Sequence, residues 1–191
     1  MHHAKRSTSQ MLDRVLIGAL VLLAALLMGL QAVRAAEIVP SVGITRATSG
    51  DTETKTFAGL ALRGSALPIL KTEIGVSYRN EPYNNGDLHV KMWPVTASLW
   101  LAPIPTLYAG GGVGWYHTTY DYAQATGIPD ETSQEFGTHV GGGIRIPIVP
   151  SVASIDLNGR LVKLRERQSL LAPGAVKQSF WSTSLGIAIR I

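Results

Sequence analysis

The chain has 191 residues, of which 46% are hydrophobic and 16% are charged. This composition suits one folded domain and excludes a largely disordered protein. Residues 1–35 carry four basic side chains and one acidic one, which leaves 13 basic and 12 acidic side chains in the rest. The nearly neutral remainder gives no reason to expect a nucleic-acid partner, and the absence of cysteine excludes disulfide bonds and lipid attachment at a cysteine.

Residues 1–35 have the three parts of a secretory signal peptide. A basic region reaches to Arg14, an apolar run extends from Val15 to Leu30, and small residues follow. We expect cleavage after Ala35, with Ala36 as the second choice. The alternative is a retained membrane anchor, but sixteen apolar residues are fewer than the roughly 20 that a spanning helix needs.

Residues 36–191 contain eight segments of strand length in which apolar and polar side chains alternate, which predicts an all-β domain. Pro94 lies inside one segment and lacks a backbone donor, so we expect a bulge or a strand end there. Short, proline-rich connections alternate with longer polar ones, and both ends of the domain lie on the short side. The predicted strands are 37–47, 55–64, 71–80, 88–101, 106–118, 135–146, 152–165 and 177–191.

The two faces of these strands differ in chemistry. One face carries branched and aromatic side chains, and the other carries glycine, serine and charged groups. Charged groups in a dry core would all need partners, whereas a polar lumen lets them pair or meet water. We therefore expect the apolar face to point outwards, into lipid.

Five outward aromatic side chains lie near the long-loop ends of their strands. In a closed barrel they would form one ring, as expected at a membrane interface. The alternative explanation is the general preference of aromatic residues for strands. The predicted girdle consists of Tyr78, Trp93, Trp115, Phe136 and Trp181.

The last segment carries a short motif: Ser184, then Gly186 two positions on, then Ile189 and Ile191 three and five positions after the glycine. This spacing resembles the assembly signal in the closing strand of bacterial outer-membrane β-barrels, although that family usually ends in Phe. Over residues 36–191 the chain resembles small barrels of the OmpA transmembrane-domain and OmpX-like kind, within the porin-family outer membrane proteins.

The resemblance implies a closed antiparallel eight-stranded up-and-down transmembrane β-barrel in the cell outer membrane. It also implies a monomer that contacts outer-membrane lipid and lipopolysaccharide and is inserted by the barrel assembly machinery. A structural or surface-interaction role follows, and we expect any extracellular partner to bind the polar segment 119–134, which we predict to be the longest loop.

Charged residues of the polar face cluster towards the short-turn half. Carboxylates enclosed among guanidinium groups form charge-assisted bonds that can fill a narrow lumen. A structural plug is one interpretation, and an anion-favouring constriction in a narrow solute channel is the other. The predicted lumen charge network consists of Arg63, Lys71, Glu73, Arg145, Asp156, Arg160 and Arg190.

A lipid A-modifying enzyme is the remaining alternative. The lipid A deacylases use a serine two residues after a histidine, but here His89, His117 and His139 are followed at that distance by lysine, threonine and glycine. We therefore predict no catalytic residue. The scattered histidines give no metal-ligand spacing, and we expect no cofactor.

Overall fold

A computed structural model describes residues 36–48, 54–83, 88–122, 131–164 and 179–191. The predicted signal peptide lies outside the described residues. No helix in these ranges is long and apolar enough to cross a membrane.

In the described ranges eight antiparallel strands follow one another, and the first pairs with the last, so that the sheet closes into a barrel. The seam between β1 and β8 sets Val42 opposite Leu185 and Ser41 opposite Gly186. The predicted fold class is therefore confirmed. The strands are β1 (Ala36–Ala47), β2 (Thr54–Leu67), β3 (Leu70–Tyr83), β4 (Leu88–Ile104), β5 (Leu107–Tyr122), β6 (Glu131–Val149), β7 (Ala153–Leu164) and β8 (Phe180–Arg190).

All eight predicted segments are strands, but their ends differ from the prediction by up to four residues. The largest change concerns segment 119–134, which we expected to be a loop. Residues 119–122 belong to β5 and residues 131–134 to β6, because the two strands continue to pair up to Tyr120 and Glu131. A paired neighbour extends a strand through polar residues that would form a loop alone, so the connection is shorter than predicted.

The outer surface of the barrel is apolar. Among the described residues, thirty large hydrophobic side chains are exposed, including Leu185 at 53% and Ile187 at 47%, whereas the charged side chains Arg63 and Glu73 are buried inside. This distribution is the reverse of that in a water-soluble barrel, and it suits a lipid environment. The predicted orientation of the two faces is confirmed.

Glycines on β5 allow the barrel wall to pack closely. A Cβ atom added at Gly110 would overlap the carbonyl oxygen of Leu99 on β4, and one added at Gly112 would overlap that of Ala97. The missing side chains also leave room in the lumen beside Trp100, which lies opposite Gly110 in the register. The glycine run of β5 therefore serves packing between strands.

The expectation of a bulge or strand end at Pro94 was wrong. Pro94 lies inside β4 and remains in register with Tyr116 on β5. On the other side, pairing with β3 stops at Val95 and resumes at Met92 without a change of register. The missing donor removes ladder bonds but adds no residue, so no bulge is needed. Register shifts occur instead beside the short turns, at positions 65/67, 101/104 and 147/149.

Candidate functional site

The candidate site is the lumen, and its short-turn half is filled by a chain of ion pairs. Arg63 donates from Nε to Glu73 Oε2 at 2.8 Å and from Nη1 to Asp156 Oδ2 at 2.7 Å. Arg160 Nη2 reaches the other oxygen of Glu73 at 2.7 Å, and Arg145 Nη2 lies 3.7 Å from Asp156 Oδ2. The strands β2 and β3 are thereby tied to β6 and β7 across the barrel.

Glu37 completes this chain. Its Oε1 accepts a hydrogen bond from Arg145 Nη1 at 2.8 Å, and its side chain is buried. The lumen network therefore alternates three guanidinium groups with three carboxylates, in the order Arg160, Glu73, Arg63, Asp156, Arg145, Glu37. Because opposite charges are equal in number, the network has no net charge.

Two of the residues predicted for the network do not join it. Lys71 is half-buried and Arg190 is exposed at the end of β8, and neither makes an ion pair within the described residues. Glu37 was missing from the prediction. Its signal in the sequence was its place on the inward face of β1, directly opposite Arg63 in the register.

Neutral side chains surround the network and use its remaining hydrogen-bonding groups. Tyr108 donates to Asp156 Oδ1 at 2.6 Å and accepts from Asn158 Nδ2 at 3.1 Å, while Arg160 Nε donates to Asn158 Oδ1 at 2.7 Å. Trp100, with no exposed surface, packs edge-on against Tyr108 and lies 5.1 Å beneath the guanidinium carbon of Arg160. A charged pair held this way is far better compensated than an isolated one.

A serine and a histidine meet beside this network. Ser98 Oγ lies 2.9 Å from His139 Nε2, and both side chains are buried. The sequence pattern did not indicate this pair, because the two residues lie on different strands. A nucleophile–base pair of the hydrolase kind also needs an acid at the other ring nitrogen, and His139 Nδ1 has no hydrogen-bond partner within the described residues.

The long-loop half of the lumen contains an apolar cluster, which the prediction of a polar filling did not include. Met92, Tyr116, Val162, Leu164 and Phe180 form a buried cluster, and the rings of Tyr116 and Phe180 meet edge to face at 6.2 Å between centroids. In these parts of the strands, inward apolar residues alternate with outward apolar ones, so the sequence alone does not distinguish the two faces. We call this group the outer cluster.

Arg79 links the outer cluster to polar groups at the strand ends. Its guanidinium lies 4.6 Å from the centroid of the Phe180 ring, its Nη1 donates to Thr45 Oγ1 at 3.2 Å, and its Nε is 3.2 Å from Glu81 Oε1. Below it, a cavity of about 90 Å³ separates the outer cluster from Arg160 of the network. By volume this cavity has room for several water molecules.

The short-turn mouth of the barrel contains a wider cavity of about 430 Å³. Arg145 and Glu37 lie at its boundary with the network, and Lys71 and Arg190 line it as well. The two cations that did not join the network therefore face this space, which we call the vestibule.

On the outer surface, four of the five predicted girdle residues are exposed: Trp93, Trp115, Phe136 and Trp181. Trp115 lies directly opposite Phe136 across β5 and β6. Tyr78 is half-buried, with its ring centroid 4.3 Å from that of Trp93. Four of the five side chains lie in the long-loop halves of their strands, and Trp115 lies at the middle of β5. The girdle itself stays a prediction.

The predicted assembly motif lies on β8 and at the residue after it. Ile189 and Ile191 are exposed, whereas Ser184 is half-buried and Gly186 is buried. A Cβ at Gly186 would come within 2.8 Å of the Pro40 carbonyl oxygen, so glycine permits the close approach of β8 to β1. The motif's role in assembly stays a prediction.

The fold is that of small bacterial outer-membrane barrels. The chain resembles Ail, the attachment invasion locus protein of Yersinia pestis, with a TM-score of 0.57 and 14% identity, over 82% of this chain and 98% of that one. A major outer membrane protein from Thermus thermophilus gives 0.58 and 12%, over 82% and 99%. Neisserial surface protein A gives 0.56 and 13%, over 82% and 95%. No family model and no curated protein sequence matches the chain.

Proposed function

We propose that the protein is an outer-membrane barrel that does not conduct and that serves the envelope through its wall and its outer surface. The observation that carries this proposal is the double filling of the lumen. The network of Glu37, Arg63, Glu73, Arg145, Asp156 and Arg160 occupies one half, and the outer cluster occupies the other.

Each half opposes ion flow for a different reason. The charges of the network cancel, and a passing cation meets no free carboxylate there, because every carboxylate is held by at least one guanidinium. In the outer cluster an ion would lose part of its water among apolar side chains, as at a hydrophobic gate. The guanidinium that lies against this cluster, Arg79, is itself held by Thr45 and Glu81. These two obstacles favour a plug over the anion-favouring channel.

Conductance in planar bilayers tests this. The full chain, refolded and inserted, should give no reproducible steps under conditions in which a general porin does. A variant with Tyr116→Ala and Phe180→Ala removes the rings of the outer cluster and leaves the network in place, so it should remain closed as well. Steady anion-selective steps from the unaltered protein would overturn the plug.

The location is proposed from the surface of the barrel. Outward aliphatic side chains with aromatic rings at one end suit a bilayer, and the resemblance to outer-membrane proteins favours the outer membrane. Insertion as a monomer by the barrel assembly machinery belongs to the same proposal. Membrane fractionation with heat-modifiable migration on a denaturing gel tests it, since a soluble protein would contradict it.

A surface-contact role is favoured by one side of the barrel. β5 continues for seven residues beyond Trp115, to Tyr122, which is about 20 Å of strand. β6 begins five residues before Phe136, at Glu131. By contrast, β8 begins one residue before Trp181. The β5–β6 hairpin therefore extends well beyond the level of the predicted girdle.

We propose that this hairpin meets an extracellular partner. Ail is described by its name as an attachment and invasion protein, and the Neisserial protein is described as a surface protein. Deleting residues 123–130 should leave heat-modifiable migration unchanged and reduce the attachment of expressing bacteria to host cells. Shortening the segment 84–87 is the matched control, and equal attachment by all strains would refute the role.

The Ser98–His139 pair gives the enzyme alternative its only geometric support in the described residues. We propose that the pair packs the lumen and does not react, because it is buried and His139 lacks an acidic partner there. Mass spectrometry of lipid A from cells with and without the protein tests this. A mass change lost in Ser98→Ala would establish an enzyme.

A further inference from the structure

The vestibule at the short-turn mouth collects positive charge. Lys71 from β3, Arg145 from β6 and Arg190 from β8 line one cavity of about 430 Å³, and Glu37 is the carboxylate among its lining residues. The three cations therefore exceed the carboxylate by two charges. They come from well-separated strands, so closure of the barrel brings them together.

Arg145 has hydrogen-bond donors that the protein does not use. Its side chain is buried, with 7% of the residue exposed, and Nη1 is taken by Glu37 at 2.8 Å. The buried Nε and Nη2 have no hydrogen-bond partner within the described residues, and Asp156 lies at 3.7 Å from Nη2, beyond hydrogen-bond reach. Buried donors of a charged group are costly when they stay unpaired, so a small movement of this guanidinium towards the vestibule would let it bind an acceptor there.

Lys71 adds a second cation without a bonding partner. It is half-buried and makes no hydrogen bond or ion pair within the described residues, although the charges of Arg145 and Glu37 act on it. Arg190, opposite Glu37 across the β1–β8 seam, is exposed at the rim. A ligand entering from the short-turn side would thus meet Arg190 first and the buried guanidinium last.

We propose that the vestibule binds a tetrahedral oxyanion of the phosphate or sulfate type. Guanidinium and ammonium groups bind such anions through charge-assisted hydrogen bonds, and two excess positive charges match a doubly charged phosphate. The cavity is larger than phosphate alone, so the group is carried by a small solute or by a lipid head at the membrane face. Both sources share the same recognition chemistry.

Calorimetric titration of the refolded full chain tests the proposal, with inorganic phosphate in zwitterionic detergent at constant ionic strength. Phosphate should bind to the unaltered protein. The double variant Lys71→Gln, Arg190→Gln should weaken binding about tenfold or more, because charged hydrogen bonds are lost. The matched control is Arg46→Gln, Lys163→Gln, which removes the same charge from positions near the opposite rim. It should change affinity less than about twofold.

A second experiment distinguishes a small soluble ligand from a lipid head group. The same proteins are titrated with vesicles of phosphatidylcholine, with or without phosphatidylglycerol. Binding of phosphate alone, lost in the vestibule variant, supports a soluble ligand. Binding that needs phosphatidylglycerol and is lost in the vestibule variant supports a lipid head.

Two results would contradict the proposal. No binding of either probe, or equal weakening in the vestibule and control variants, would overturn the site. Heat-modifiable migration checks that each variant folds. Should the double variant not fold, Arg190→Gln alone provides the measurement, because this exposed side chain can be changed without disturbing the network. Unchanged affinity in that variant would then count against the proposal.

Discussion

Replacing Arg63 by glutamine tests whether the lumen network holds the barrel together. Arg63 is 2% exposed and lies between two carboxylates, at 2.6 Å from Glu73 and 2.7 Å from Asp156. Glutamine keeps a polar group but removes the charge. Glu73 would then rely on Arg160 alone, and Asp156 on Tyr108 and the more distant Arg145.

The expected loss of stability follows from the interactions that Glu73 and Asp156 keep in the variant. Removing one partner of a buried pair typically costs about 3–5 kcal/mol, since the other charge stays buried and uncompensated. We expect the free energy of unfolding to fall within that range. Arg160→Gln should cost less, about 1.5–3 kcal/mol, because Glu73 is the only carboxylate that Arg160 holds and its side chain is 19% exposed. The bond from its Nε to Asn158 is lost as well, but that partner is neutral.

Urea unfolding in lipid vesicles, followed by tryptophan fluorescence, provides the measurement. The double variant Arg63→Gln, Glu73→Gln should recover part of the loss, because the second change removes one of the two carboxylates left behind. A cost for Arg63→Gln below about 1 kcal/mol, or one no larger than that of Arg160→Gln, would refute the view that the network is central to stability.

Three further predictions concern the wall and the outer cluster. Gly112→Ala should prevent heat-modifiable folding because its Cβ overlaps a carbonyl oxygen of β4, whereas Gly159→Ala, with nothing within 4 Å of the new atom, should fold normally. In urea unfolding from vesicles, Val140→Arg should lower the free energy of unfolding by about 2–4 kcal/mol, because it places a charge on the lipid face. Thr132→Arg, which lies beyond the predicted girdle, should lower it by less than about 1 kcal/mol. Equal losses would contradict the proposed position of the membrane. Phe180→Ala should lower the free energy of unfolding by about 3–5 kcal/mol in the same assay, because it leaves a cavity in the outer cluster. A loss below about 1 kcal/mol would show that the outer cluster is not packed.

The eight strands and their two faces could be predicted because side-chain alternation within each strand reflects the environments of its two faces. Alternation along residues 181–191 already separates Leu185 and Ile187 from Gly186 and Ala188, and the structure places them outside and inside. Strand ends were less certain, since pairing with a neighbour extends β5 and β6 through polar residues. Pro94 was misjudged for the same reason: the continuous register with β5 keeps it inside its strand.

Many of the residues that line the lumen could be predicted from alternation, but the contacts among them depend on closure, which no local pattern encodes. Arg63 and Asp156 are 93 residues apart in the chain and meet because β2 faces β7 across the barrel. Lys71 shares the inward face with Arg63 but lies nearer the rim, and it therefore lines the vestibule instead of joining an ion pair. Alternation along each strand determines which residues share a face, while the stagger and closure of the strands decide which of them meet.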